Sequence, residues 1–159
     1  MDFDLPSETQ WEFACRAGHG DGKYGNGSAI LNSNTSDANL APQTRYYYNN
    51  ASGSAVEPGE NVDTTKGTVT VGSCVPNDWG LYEMLGNVME LCLDKYQADV
   101  SGLAGAVKVD SSLVLVVGKG GHYTYTADRC RPAFRTDYEM NKRHRPQLGF
   151  RVVCRAGLD

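Results

Sequence analysis

The sequence predicts an α+β fold with few helices, short strands and long loops. One segment near the start carries a complete helix-start signal, and three short runs rich in β-branched residues are typical of strands. The chain also contains 18 glycines, and the segment from Ser28 to Ser54 is rich in Asn, Ser and Thr. These residue types favour turns and loops over regular structure.

The segment LPSETQWEFACRAG predicts the helix. Ser7 is a suitable N-cap, and Gln10 three residues later completes a capping box. Gly18 supplies the stop signal, because glycine readily adopts the left-handed conformation in which helices end. Three residues at helical spacing form the apolar face: Trp11, Ala14 and Cys15.

Three further runs predict strands, and one predicts a second helix. TVTVG at Thr68–Gly72 alternates in polarity, LVLVV at Leu113–Val117 is apolar throughout, and GFRVVC follows at Gly149–Cys154. The residues from Asn87 to Tyr96 predict a short helix after a turn at Gly86. There is no internal repeat and no linker, so residues 1–159 are expected to form one domain.

The composition favours a globular protein over a membrane-spanning or disordered one. Hydrophobic residues make up 40% of the chain and charged residues 21%. The longest apolar run is LVLVV, far short of the roughly 18 residues that a membrane span needs. The opening MDFDLPSE lacks the features of a signal peptide. Five cysteines without a CxxC pair argue against a zinc site and leave one disulfide open.

Charge is unevenly distributed, although the formal net charge is only −4. From Lys119 to Arg155 there are nine Lys or Arg against three Asp or Glu, whereas the preceding residues carry six against fifteen. We expect the basic residues to pair with the acidic part of the same domain; the alternative is an anionic ligand. Nucleic-acid binding is not indicated, because the basic residues form no helical stripe or aromatic platform.

Five blocks in order carry a family resemblance: LPSETQWEFACRAG, VGSCVPNDWGLYEMLGNVMELCLD, GKGGHY, CRPAFR and LGFRVV. Together they resemble the formylglycine-generating enzyme (sulfatase-modifying factor) family, a branch of the C-type-lectin-like fold. The resemblance runs from Leu5 to Val153 and implies that fold for this chain. The family normally has a further N-terminal part, so the chain is expected to be a fragment or a shortened version.

The resemblance implies a calcium site in LYEMLGNVMEL. Carried over by position, Glu83 and Glu90 would supply carboxylate oxygens, and Gly86 and Val88 would supply backbone carbonyls. Hard oxygen ligands around a glycine turn suit calcium. The alternative is a tight turn flanked by two solvated glutamates.

The resemblance also defines what catalysis would need. Enzymes of the family convert a substrate cysteine to formylglycine with oxygen and copper, through two cysteines five positions apart. In this sequence Cys130 falls on the second position and Tyr125 on the first. Because a phenol does not replace a thiolate for Cu(I), copper is not expected, and Cys130 is catalytic only if the protein is an enzyme after all.

The segment after GKGGHY predicts a ligand-binding surface. Family framework positions alternate there with large polar or aromatic residues, the types that dominate binding hot spots. The predicted surface residues are Tyr125, Arg129, Phe134, Asp137, Tyr138, His144 and Arg145. The alternative is that some of these aromatic residues belong to the core, Tyr123 in first place and Phe134 in second. The partner is expected to be a macromolecule, in first place a protein.

The alternation also resembles variable proteins of diversity-generating retroelements, which use this fold and randomise asparagine-type codons before GFR. Twelve interleaved residues can each be reached from AAC or AAT by changing adenines: Thr124, Tyr125, Thr126, Arg129, Phe134, Thr136, Asp137, Tyr138, Asn141, His144, Arg145 and Pro146. A non-catalytic, diversified binding protein is therefore our first hypothesis. The alternatives are an ordinary binding or scaffold relative, a formylglycine-generating oxidase or related enzyme, and an uninformative fragment.

Overall fold

The computed structural model describes residues 2–31, 36–50, 67–97, 115–140 and 146–155. Within these ranges one α-helix and six short strands form, in the order β1 (Asp2–Asp4), α1 (Glu8–Arg16), β2 (Met89–Lys95), β3 (Leu115–Lys119), β4 (Arg135–Glu139), β5 (Leu148–Gly149) and β6 (Val153–Arg155). The predicted α+β class with few helices and short strands is confirmed. No helix in these ranges has the length and apolar character needed to cross a bilayer.

The strands form two small sheets. A four-stranded sheet has the order β4-β3-β2-β5, in which β2 is antiparallel to β3 and parallel to β5. A two-stranded antiparallel sheet joins β1 to β6, with Phe3 opposite Cys154. Strand β3 links the inner strand β2 to the edge strand β4. The segment between β3 and β4 holds three of the seven predicted binding residues: Tyr125, Arg129 and Phe134.

Helix α1 forms where the sequence predicts it. The Ser7 side chain accepts a hydrogen bond from the backbone N–H of Gln10, and the Gln10 side chain accepts one from the N–H of Ser7. This capping box satisfies two backbone donors that a helix start leaves unpaired. The chain leaves the helix at Ala17, whose φ is 48°, one residue before the predicted stop at Gly18.

The helix predicted from Asn87 to Tyr96 is wrong, because Met89–Lys95 forms the strand β2. Gly86 and Asn87 have positive φ angles of 60° and 55°, and this turn leads the chain into the sheet in an extended conformation. The backbone of β2 then bonds to β3 on one side and β5 on the other. Pairing on both edges outweighs the modest helix propensity of these residues.

The other strand predictions are confirmed only in part. Residues 68–72 form no strand; instead the N–H of Val69 donates to the side chain of Asn87. The predicted strand Leu113–Val117 is observed as β3, shifted towards the C-terminus, and its first two residues lie outside the described ranges. Gly149–Cys154 is split between β5 and β6, because residues 150–152 leave the sheet.

The four-stranded sheet has a hydrophobic cluster on each face. On the α1 side the main core contains Trp11, Cys92 and Val117, together with the fully buried Cys130. On the opposite face Met89 and Val116 form a smaller cluster. Successive strand residues point to opposite faces, which explains why neighbours such as Val116 and Val117 belong to different clusters.

Candidate functional site

The loop after β3 is built on two glycines. Gly120 and Gly121 have positive φ angles of 87° and 72°, a conformation that glycine adopts without strain. A Cβ on Gly121 would lie 2.6 Å from the carbonyl oxygen of Arg129 and 2.9 Å from Sγ of Cys130. Residues 122–130 therefore fold back tightly on this turn. Their inner side is fixed by Ala127 and Cys130, which are both buried.

Three of the predicted binding residues come together on the outer side of this loop. The ring of Tyr125 meets that of Phe134 edge to face, with centroids 6.0 Å apart. The guanidinium carbon of Arg129 lies 5.2 Å from the centre of the Tyr125 ring, within cation–π range. Arg129 is exposed, and Tyr125 and Phe134 are half-buried. We call Tyr125, Arg129 and Phe134 the aromatic–arginine cluster.

The cluster is supported from beneath by His122. The His122 ring is buried and stacks on Tyr125 with centroids 3.7 Å apart. Its Nδ1 lies 2.9 Å from the hydroxyl of Thr124 and accepts the N–H of the same residue at 3.3 Å. The orientation of the Tyr125 ring is therefore set before any ligand binds.

The remaining predicted binding residues do not all join this surface. Asp137 is exposed on the edge strand β4. Tyr138 requires a correction, because its side chain is only 8% exposed and packs with Met89 and Val116. Adjacent strand residues face opposite ways, so Tyr138 turns inward where Asp137 turns outward. Tyr123 is a core residue as expected, at 3% exposure.

Two predicted binding residues, His144 and Arg145, lie outside the described residues. Conversely, a neighbouring loop was not assigned to the surface from the sequence. The backbone N–H of Tyr47 donates to the carbonyl of Tyr125 at 2.9 Å, so the loop RYYYNN at Arg45–Asn50 lies beside the cluster. Three consecutive tyrosines are typical of binding surfaces, but the composition around them indicates only a loop.

Three cations of the basic segment from Lys119 to Arg155 form ion pairs within the domain. The ion pairs are Lys119 with Glu12 at 2.9 Å, Arg135 with Glu8 at 2.7 Å and Arg151 with Glu90 at 2.5 Å. The expected pairing with the acidic part of the domain is confirmed for these three. Arg129 differs, because it forms no ion pair within the described part of the chain and its guanidinium lies over Tyr125.

The two glutamates predicted to bind calcium are buried, and their carboxylates already accept hydrogen bonds from the chain itself. Both Glu90 oxygens accept hydrogen bonds from Arg151, at 2.5 and 2.6 Å, and one also accepts the indole N–H of Trp11 at 2.6 Å. The carboxylate of Glu83 accepts the backbone N–H groups of residues 72 and 74 at 2.8 and 3.0 Å. A divalent cation bound by Glu90 would face a guanidinium. With Arg151 on Glu90, the two carboxylates do not fit calcium in this arrangement, and the roles predicted for the carbonyls of Gly86 and Val88 stay predictions.

Calcium dependence of thermal stability tests this directly. We expect the same melting temperature in millimolar calcium and in EDTA, because Arg151 already neutralises the buried Glu90. Bound calcium would instead raise stability in proportion to RT ln(1 + [L]/Kd). Magnesium at the same concentration controls for ionic strength. A rise specific to calcium would show that the ion displaces Arg151 and that the site implied by the resemblance exists.

Cys130 is in a poor environment for copper. The side chain is fully buried, and burial raises the pKa of its thiol well above the usual range. Its Sγ contacts the carbonyl oxygens of His122 and Tyr125 at 3.9 Å. Tyr125 stands where the resemblance requires a second thiolate. In the described residues no three His, Cys, Asp or Glu side chains are placed to share a metal ion.

Comparisons with known proteins agree on one family. The model of the "Sulfatase-modifying factor enzyme 1-like domain" matches residues 2–156. The formylglycine-generating enzyme of Thermomonospora curvata is 34% identical over 95 residues, which cover 60% of this chain and 28% of that protein. The enzyme of Mus musculus is 31% identical over 90 residues, covering 57% and 22%.

Solved structures show the same fold. "Treponema denticola variable protein 1" superposes with a TM-score of 0.72 at 28% identity, covering 97% of this chain and 48% of that one. PvdO from Pseudomonas aeruginosa gives 0.67 at 22% identity, covering 94% and 51%. The C-type-lectin-like fold of the formylglycine-generating-enzyme type is thereby confirmed. The chain spans about half the length of each of these structures.

Proposed function

The chain belongs to the sulfatase-modifying factor enzyme 1-like domain family, and on this premise we propose that it is a non-catalytic ligand-binding domain that displays a variable surface. The aromatic–arginine cluster carries the proposal. It presents an exposed guanidinium and two half-buried rings on a tightly folded glycine loop. Tyr and Arg supply contact area and hydrogen bonds at a modest entropic cost.

The contrast between inner and outer residues of the segment supports this proposal. Framework positions such as Gly121, Ala127 and Cys130 are buried, whereas Arg129 and Asp137 face solvent. Substitution of outward residues disturbs the fold little. A segment organised in this way tolerates diversification, and the likeness to a variable protein of Treponema denticola points in the same direction.

The ligand proposed is a macromolecule, in first place a protein. The cluster is a group of exposed and half-buried side chains on a loop, whereas small-molecule sites are usually enclosed pockets. Its rings and guanidinium are held by neighbours such as His122, so little ordering entropy is lost on binding. Rigid aromatic anchors of this kind are typical of protein-binding surfaces.

Selection from a phage library of short random peptides tests the proposal. A peptide selected on the immobilised chain serves as the probe, and its affinity is measured for the double variant Arg129→Ala, Phe134→Ala. We expect a loss of about tenfold or more, because hot-spot residues cost more than about 1 kcal/mol on truncation. Phe13→Ala is the control, since Phe13 is 65% exposed but packs against Trp79. Peptides that bind the double variant as tightly as they bind the parent chain and the Phe13→Ala control would contradict the proposal.

The alternative function is that of a formylglycine-generating oxidase, which the identity to the Thermomonospora curvata enzyme favours. We expect no such activity, because Cys130 is buried and Tyr125 replaces the other required thiolate. Incubation of the copper-treated protein with a sulfatase-type CxPxR peptide should give no aldehyde. Tyr125→Cys, which restores the second cysteine, is the comparison variant. A family enzyme is the positive control. Steady aldehyde formation by the unmodified chain would restore the enzyme hypothesis.

A further inference from the structure

The loop RYYYNN has a fixed conformation of its own. Tyr46 is fully buried, and its hydroxyl accepts the backbone N–H of Asp37 at 2.7 Å. The Asn49 side chain accepts the N–H of Tyr46 at 2.7 Å and donates to the carbonyl of Thr44 at 2.6 Å. These hydrogen bonds tie the loop to itself and to the neighbouring residues Asp37 and Thr44. The position of residues 47 and 48 is therefore set by the fold.

The same loop is bonded to the segment that carries the aromatic–arginine cluster. Besides the bond from Tyr47 to Tyr125, the Asn50 side chain donates to the carbonyl of Tyr123 at 3.4 Å. The ring of Tyr48 meets that of Tyr47 edge to face at 4.9 Å and is 42% exposed. A large exposed aromatic ring thus lies on the loop next to the cluster.

We propose that Tyr47 and Tyr48 form a constant half of the binding surface, and that the partner is a protein segment carrying a carboxylate beside apolar or aromatic side chains. The inference rests on the proposed function of the cluster. Tyr47 and Tyr48 lie far from the C-terminal segment in sequence, so diversification of that segment would leave them unchanged. Every variant would then keep the same aromatic contact.

The carboxylate follows from how the cations are used. Lys119, Arg135 and Arg151 are neutralised by glutamates of the same domain. Arg129 forms no ion pair among the described residues and is exposed above Tyr125. A guanidinium held over a ring can still form a bidentate bond to a carboxylate in its own plane. An acidic partner therefore complements the cation that this surface leaves unpaired.

Peptides selected on the parent chain test both parts. We expect them to be enriched in Asp or Glu next to aromatic residues. We also expect Tyr48→Ala to weaken their binding about tenfold and Tyr48→Phe to retain it, because the ring supplies the contact. Tyr48 is exposed, so neither change should disturb folding. Affinity should fall as salt increases for the parent chain, and less so for Arg129→Gln.

The outcomes separate this inference from the proposed function. Unchanged affinity of Tyr48→Ala, with a loss in Arg129→Ala, Phe134→Ala, overturns the constant half and leaves the cluster as the binding surface. Selection of peptides without carboxylates overturns the acidic partner. Unchanged affinity in all these variants overturns the proposed function as well.

Discussion

Replacing Arg151 by methionine is expected to lower the free energy of unfolding by about 3 kcal/mol, the lower end for breaking a buried ion pair. Glu90 is only 5% exposed, and its carboxylate depends on Arg151 for two of its hydrogen bonds. The methionine would leave a buried charge with the Trp11 indole as its remaining described donor. The lower end applies because a quarter of the Arg151 side chain is exposed to water.

Urea unfolding of matched variants measures this effect. Arg16→Met is the control, because Arg16 pairs with Glu12 one helical turn away and with the exposed Asp21. Such pairs contribute about 0–1 kcal/mol. The double variant Arg151→Met, Glu90→Gln should recover part of the loss, since it removes the unpaired charge. Equal stability of Arg151→Met and the parent chain would mean that Glu90 does not need this partner.

Replacing Gly121 by alanine is expected to lower the free energy of unfolding by about 3 kcal/mol or more, because backbone strain and overpacking add together. Its φ of 72° lies in the left-handed region. The new Cβ would meet the Arg129 carbonyl at 2.6 Å and Cys130 Sγ at 2.9 Å, and Cys130 is fully buried. Relief requires the loop to open, which would displace the aromatic–arginine cluster. Ligand binding should therefore fall along with stability.

Gly20→Ala is the matched control for this substitution. A Cβ on Gly20 would have no neighbour within 4 Å, and its φ is not in the left-handed region. Its effect should stay within about 0.5 kcal/mol of zero. Thermal unfolding of the two variants under identical conditions makes the comparison. Equal melting temperatures of Gly121→Ala and Gly20→Ala, with unchanged peptide affinity, would show that the tight glycine turn does not position the binding surface.

The features that could be predicted from the sequence are those fixed by local chemistry or by an ordered set of motifs. Ser7 and Gln10 define the start of α1 because the capping box is formed within three residues. The five blocks identify the fold because they occur in the family's order. The pairing of Arg135 and Arg151 with glutamates could be anticipated as a tendency from the charge distribution, although not residue by residue.

The features that escaped prediction depend on contacts between distant segments. Residues 89–95 have a helix-compatible composition, and only pairing with β3 and β5 makes them a strand. Tyr138 looks like a surface residue until the register of β4 turns it towards Val116. The loop RYYYNN lies beside Tyr125 because the Tyr47 N–H donates to the Tyr125 carbonyl, and nothing local to either segment indicates that contact.

The DNA sequence of the locus tests the central claim most directly, namely that this chain displays a diversified binding surface. We predict codons ending in C or T at the interleaved residues Thr124, Thr126, Arg129, Thr136, Arg145 and Pro146. A near-copy of the segment with adenines at those codons should lie beside a reverse transcriptase gene. Codons ending in A or G at several of these positions, or a locus without such a copy, would contradict diversification and leave a binding domain with a single, invariant surface.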